Sequence, residues 1–499
     1  MIKQALFDLV KSMTMSEKRY FKIYASKHVI GDNSDYVQLF DAIDLMEEYD
    51  EELLKNEPFV KNLSAEKNYL YKLILKNLNT FHSSLNSKTK IYQWLESIEI
   101  LYHKGMYEQA LRLVKKAKKL ARENELFTQL MTVEEIEIEL LSKQFDYQKA
   151  SENIDKTEET LSVINNYNLI QKIMTDSYDQ MLKLGTSRSK EDSLLMAEFV
   201  DNKKINNDRF PKSERARMNM YGLNLANAFF VQNETKMLKY TKAMTSLYQS
   251  NPHLIEYSTI GYITSLYNLS KTYQKRGDLD NMFTVLEELE GSKNKYGIST
   301  SMNIGARIFF YSSNLRLDVY LKKDQYDEVG KLLEEREDEF KKFRLYIGKP
   351  QLYEYYYLIG KYYIVISDYK NALKYTNEII NDTTFKVRED LMAVVRLMNL
   401  LIHYELNREF SLEYLTKNTF NYFKKKNRLF KVEGELIKFM KQQHKLEEKD
   451  EMISDLKQLR GMMREYKKDE YESRPFELFD FEYWAEAKIK NINLKDLPN

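Results

Sequence analysis

One short pattern recurs along the chain and limits its fold more than any other feature. A charged or Gly-containing turn is followed by an aromatic or large apolar residue. Three residues later comes a small or apolar one. The copies are Gly105-Met-Tyr107-Glu-Gln-Ala110, Asp146-Tyr147-Gln-Lys-Ala150, Gly277-Asp-Leu279-Asp-Asn-Met282, Asp324-Gln-Tyr326-Asp-Glu-Val329 and Ser367-Asp-Tyr369-Lys-Asn-Ala372. Upstream of several copies lies a helical pattern. Tyr356, Ile359, Gly360 and Tyr363 fall at i, i+3, i+4 and i+7, one face of a helix. Leu266, Leu269, Ser270 and Tyr273 repeat it, and Trp94 precedes the Gly105 turn. Small residues at Gly360, Ala110, Ala150 and Ala372 let paired helices approach. Such a pair cannot bury its apolar faces alone, so neighbours must stack into a solenoid.

Composition agrees with an all-α chain. The 499 residues include only 14 Gly and 6 Pro, where average usage gives roughly 35 and roughly 25. A sheet-rich chain with many tight turns needs more of both. Zero Cys excludes disulfide scaffolds, thiolate metal sites and cysteine catalysis. A net charge of +1 argues against a polyanion binder acting with its whole surface. No apolar stretch reaches spanning length. The N-terminal sequence lacks the apolar core and cleavage site of a secretory signal, so the expected setting is cytoplasmic. Abundant Lys, Asn, Ile and Tyr suggest an AT-rich, bacterial genome. Thr14-Met-Ser-Glu17 reads as a capping box, and Leu70, Leu73, Ile74, Leu78, Phe81 and Leu85 trace one helix face.

The Trp, Leu-Gly, Tyr and second-helix Ala positions resemble the tetratricopeptide repeat. The chain as a whole is similar to helical-repeat proteins of Bacteroidota. The resemblance implies a right-handed α-solenoid of helical hairpins that binds protein partners. The spacing departs from that family: 40 residues separate turn residues 107 and 147, 47 separate 279 and 326, and 43 separate 326 and 369, against about 34 in the usual unit. The helices or their connections must be longer. The expected domains are an N-terminal helical region, 1–90; a repeat array, 91–415; and a C-terminal helical region with a capping segment, 416–499. Polar runs at 186–192 and 201–208 read as loops and a hinge interrupting the array near 186–211. The run Arg474-Pro-Phe-Glu-Leu-Phe-Asp-Phe-Glu-Tyr-Trp484 reads as a cap, because that many exposed aromatics is unusual on a monomer.

In a stacked array one face of each first helix lines the concave side. Here it carries Glu354, Tyr357, Lys361 and Val365; Asn314 and Asp318; Tyr267, Lys271 and Gln274; and Glu99, Tyr102 and His103. Tyrosine with lysine and asparagine suits an extended peptide, whose side chains pack on rings while its backbone bonds the polar groups. Tyr102, His103, Tyr267, Lys271, Asn314, Tyr357 and Lys361 are therefore the candidate partner-binding residues. The competing reading is that these tyrosines only fill the space between long repeats. Of the tyrosines in 353–369, those at 353, 356, 363 and 369 fit packing positions, and the other three cannot all face the same core. Lys271 and Lys361 do not reproduce the Lys/Asn arrangement by which some tetratricopeptide relatives clamp a chaperone C-terminus, so that partner is not carried over.

A second reading concerns residues 417–445, with nine Lys/Arg, two Glu and a local charge of +7, interleaved with Phe420, Tyr422, Phe423 and Phe430. Aromatics beside cations stack bases and track phosphates. Lys424, Lys425, Lys426 and Arg428 are the residues this alternative would use. A solvated face is the commoner meaning of such a run, as it is for Lys115-Lys-Ala-Lys-Lys119 with Arg122. An acidic stretch, 41–57, balances it with eight acids and one Lys. The six His form no metal-ligand spacing, and no phosphate-cradling Gly-rich loop, GxSxG elbow or kinase motif occurs. In Glu134-Glu-Ile-Glu-Ile-Glu139, Glu135 and Glu139 share a helix face but lack further ligands. The expectation is a non-enzymatic scaffold or adaptor, one that could serve as a regulator, with no cofactor, no metal, no membrane and a protein or peptide partner.

Overall fold

The computed structural model describes residues 4–28, 35–82, 86–184, 187–200, 210–295, 301–382, 384, 388–443 and 449–497. Among them every regular element is a helix. The chain divides into two compact units, Met1–Asn165 and Asn166–Asn499.

The first unit opens with short helices, Ala5–Ser12, Met15–His28, Asp35–Leu45 and Glu51–Lys55, packed with Leu63–Phe81 around Phe21, Phe40, Leu54, Leu70 and Ile74. The capping box forms: the Thr14 N–H donates to Glu17 Oε2 at 2.6 Å and the Glu17 N–H to Thr14 Oγ1 at 3.3 Å. Leu85, expected on the Leu70 face, lies outside the described residues. Paired helices begin at Ser87–His103 and continue through Tyr107–Glu123 and Phe127–Lys143 into Tyr147–Leu184. Ala110, Val114, Ala117 and Ala121 are fully buried there, so the small-residue stripe is where neighbouring helices close up.

The second unit repeats the plan. Glu214–Phe230 pairs with Glu234–Ser250, Thr259–Lys275 with Leu279–Lys295, Met302–Lys322 with Tyr326–Glu335, Lys349–Val365 with Tyr369–Ile380, and Glu389–Glu405 with Glu409–Lys425. Consecutive helices pack in chain order. Lys431–Gln443, Lys449–Tyr466 and Phe481–Lys490 finish the unit.

The recurring motif is a helix-ending turn. At Gly105, Phe145, Gly277, Asp324 and Ser367 the backbone enters the left-handed region, with φ between 57° and 74°. The next N–H then reaches back five residues, as in Met106 to Leu101, Asp146 to Leu141, Asp278 to Tyr273, Gln325 to Tyr320 and Asp368 to Tyr363. This pairs the last carbonyls of one helix. Where that residue is Asp, its carboxylate also caps the following helix, as Asp368 does for the Asn371 N–H at 3.1 Å. The same turn occurs at Glu125, Gln232, Asn407 and Asn427, where the sequence carries no copy of the motif. The long spacing is thus a helix effect: 17-residue helices joined by three-residue turns are the commonest module.

Between residues 147 and 213 the plan breaks. Tyr147–Leu184 is one 38-residue helix, and Lys190–Val200 follows. Residue 186 and the expected loop at 201–208 lie outside the described residues. The expected loop at 187–192 is instead pinned. Arg188 donates to both carboxylate oxygens of Glu433 at 2.9 and 3.2 Å and to Glu472 at 3.3 Å, with its guanidinium over the Phe430 ring. Glu472 in turn accepts from the Lys431 and Val432 N–H groups. Opposite ends of the second unit meet at this cluster.

Candidate functional site

The Lys349–Val365 helix places the densest set of candidate residues. It is packed on more than one side. Tyr353, Tyr355, Tyr356 and Tyr357 are all buried; of the three tyrosines expected outside the packing positions, Tyr355 and Tyr357 are thus buried and Tyr362 is half-buried. Tyr355 rests against Phe309, Phe310 and Phe340. Tyr357 lies beneath the C-terminal segment. Its hydroxyl donates to the Leu478 carbonyl at 2.5 Å, and Lys361 Nζ, one turn on, donates to the same oxygen at 2.9 Å. Burial holds the Tyr357 hydroxyl well above its ordinary value. Burial likewise lowers the Lys361 ammonium, against the charge of Asp318. Lys275 pairs with the neighbouring Glu477 at 3.1 Å. Anchoring is completed by Trp484, fully buried, whose Nε1 donates to Glu405 at 2.8 Å.

Beside this contact lies a cluster of bonded charged side chains. Lys271 Nζ meets Glu354 Oε1 at 2.5 Å, and the Tyr267 hydroxyl lies 3.2 Å from both Glu354 oxygens. The Tyr267 ring stacks on Tyr311 at 4.1 Å. Arg388 holds Asp390 through two bonds of 3.1 Å, and Asp318 accepts from Gln274 and Lys322. Lys271 keeps 37% of its side chain in solvent. Burial would lower its ammonium, but the Glu354 charge outweighs it and the value rises. Glu354 is raised by burial and brought down further by Lys271 and Arg388, for a net lowering. The pair stays ionised.

Of the seven candidate groove residues, the structure gathers Tyr267, Lys271, Tyr357 and Lys361 on this side of the second unit. Asn314 is buried and donates to the Gln351 carbonyl at 3.4 Å, between two helices. Tyr102 and His103 belong to the first unit, where they bond Glu139 and Glu99 at 2.5 and 2.9 Å. The Glu139 bond raises the Tyr102 hydroxyl to about 12. Glu354, on the same helix face as Tyr357 and Lys361, completes the cluster with Arg388 and Asp390, which no local motif marks.

The basic–aromatic run divides. Lys426 pairs with Glu389 at 2.6 Å and Arg428 with Asp192 at 3.5 Å, while Lys424 and Lys425 are exposed. Tyr422 bonds Glu389, Phe423 is buried, and Phe430 lies under Arg188. Lys445 lies outside the described residues. The other basic run is also drawn partly inward: Arg122 bonds the fully buried Glu134 at 2.9 Å, and Lys118 bonds Glu137. Glu135 and Glu139 stay exposed. Among the described residues no group of three His, Asp or Glu could hold a metal ion, and no helix is long and apolar enough to cross a membrane. Comparison with protein-family models and with curated proteins returns no match.

Proposed function

We propose that the chain is a non-enzymatic protein-binding scaffold, resembling tetratricopeptide arrays in mode of use, that holds an extended segment of a partner in the concavity of its second unit. The observation that carries this reading is the convergence of Tyr357 and Lys361 on one main-chain carbonyl. Side chains of one helix face grip a backbone, which is how an array recognises an extended chain without reading each of its residues. The part of that face covered by Leu478 is taken by the protein's own C-terminal segment. The partner's place is the adjoining cluster of Lys271, Glu354, Arg388, Asp390, Asp318 and Lys322. Its paired charges are preformed, which limits the ordering cost of binding. A right-handed superhelix, a cytoplasmic setting and a bacterial source belong to the same proposal.

The test is site-specific photo-crosslinking in the native cell. A crosslinking side chain at position 322 should trap another polypeptide. One at Lys341, on the exposed part of the Glu337–Phe343 helix, should not. Adding Lys271→Ala and Arg388→Ala should abolish the adduct at 322. No adduct there, or equal yields at both positions, overturns the reading.

A further inference from the structure

The Glu409–Lys425 helix buries Leu412, Thr416, Thr419 and Phe423 on one side. Its opposite side carries Phe410, Tyr414, Lys417, Asn421 and Lys424, all exposed and within one stripe. Phe410 is 94% exposed and Tyr414 67%. Among the described residues, Lys417, Lys424 and Lys425 have no ion-pair partner. Lysines in a last turn offset the helix dipole and need no other explanation. Two large rings left bare one turn apart are different: they sit opposite the core and contribute nothing to it.

We propose that this stripe binds single-stranded nucleic acid. The proposal concerns another surface than the Lys271 cluster and stands independently of it. Three features favour that occupant. The rings lie about 6 Å apart along the axis, one above the other, so consecutive bases of one strand can stack on them. The cations lie further along the same line, where they meet the phosphates of the continuing strand. The track is a single convex ridge, about 21 Å from Phe410 to Lys424, which a flexible strand follows and a stiff duplex does not. An acidic peptide would use the lysines and leave the rings idle. A membrane surface needs a broad apolar face, and Lys417, Asn421 and Lys424 interrupt this one.

The experiment is fluorescence anisotropy of the full-length protein with labelled oligo-dT and oligo-rU at low and physiological salt. Anionic phosphatidylglycerol vesicles and polyglutamate serve as competing ligands. The expected result is oligonucleotide binding that Phe410→Ala with Tyr414→Ala weakens tenfold or more at constant salt. Lys417→Glu with Lys424→Glu should lower the salt slope by about 1.4. Both sites are exposed, and circular dichroism should be unchanged in all variants. The proposal is overturned by no oligonucleotide binding at low salt, by binding indifferent to the ring variant, or by a ring variant that loses vesicles or polyglutamate while keeping the oligonucleotide.

Discussion

Arg188→Ala tests the cluster that joins the ends of the second unit. The guanidinium meets two carboxylates, and the three side chains are 9%, 2% and 10% exposed. Removing one partner of a buried pair costs about 3–5 kcal/mol, because the charge left behind has lost its counterion. Glu472 keeps two backbone N–H donors, so the stranded group is Glu433, and the loss should fall near about 3 kcal/mol, with about 1 more from the Phe430 contact. Two tryptophans, Trp94 and Trp484, lie in different units, so a Trp94→Phe background leaves Trp484 to report on the second unit alone. Urea unfolding followed by its fluorescence gives the loss directly. The pH dependence has a definite sign. Burial already holds the Glu433 carboxyl above its ordinary value against the Arg188 charge, and without Arg188 it rises further. A raised acid contributes stability at low pH that is lost as pH climbs through the folded value. The Arg188→Ala penalty should therefore be largest at about pH 8 and shrink towards about pH 5, and Glu433→Gln should relieve most of it. A loss under about 1 kcal/mol, or one equal at both pH values, refutes the argument.

Trp484→Ala should destabilise the second unit by about 3–5 kcal/mol, read by circular dichroism during urea unfolding, since it empties a fully buried site. Tyr357→Phe should cost about 1 kcal/mol and raise amide exchange at residues 478–480, because the Leu478 carbonyl loses a donor. Two glycines separate cleanly in thermal melts. A Cβ at Gly360 would meet Thr376 at 3.5 Å, an ordinary contact, so Gly360→Ala should stabilise by about 1 kcal/mol. A Cβ at Gly261 would lie 2.1 Å from the Tyr248 hydroxyl, so Gly261→Ala should destabilise by about 1–3 kcal/mol.

The helical pairing is legible in the sequence because its turn is made by local chemistry. Gly105 and Gly277 adopt positive φ at no steric cost, and Asp146 and Asp368 cap the helices that begin after them. The turns at Glu125 and Gln232 are not legible, because neither residue advertises a left-handed backbone; only the regular interval could find them. The small residue at Gly360 reads as a necessity, yet the space there accepts a methyl group. Lys271 and Tyr267 can be picked out from their helix face, but their partner Glu354 is 83 and 87 residues away. The ligand of Tyr357 and Lys361 is a main-chain oxygen, which leaves no side-chain signature at all.

The turn also acts as a ruler. Helices starting at 107, 127 and 147 are set 20 residues apart, so a gain or loss of 40 residues at a turn keeps every later side chain in its orientation. Indels of that length should therefore be the ones this architecture tolerates during divergence, while a one-residue slip inside a helix would turn its buried stripe by about 100° and expose it.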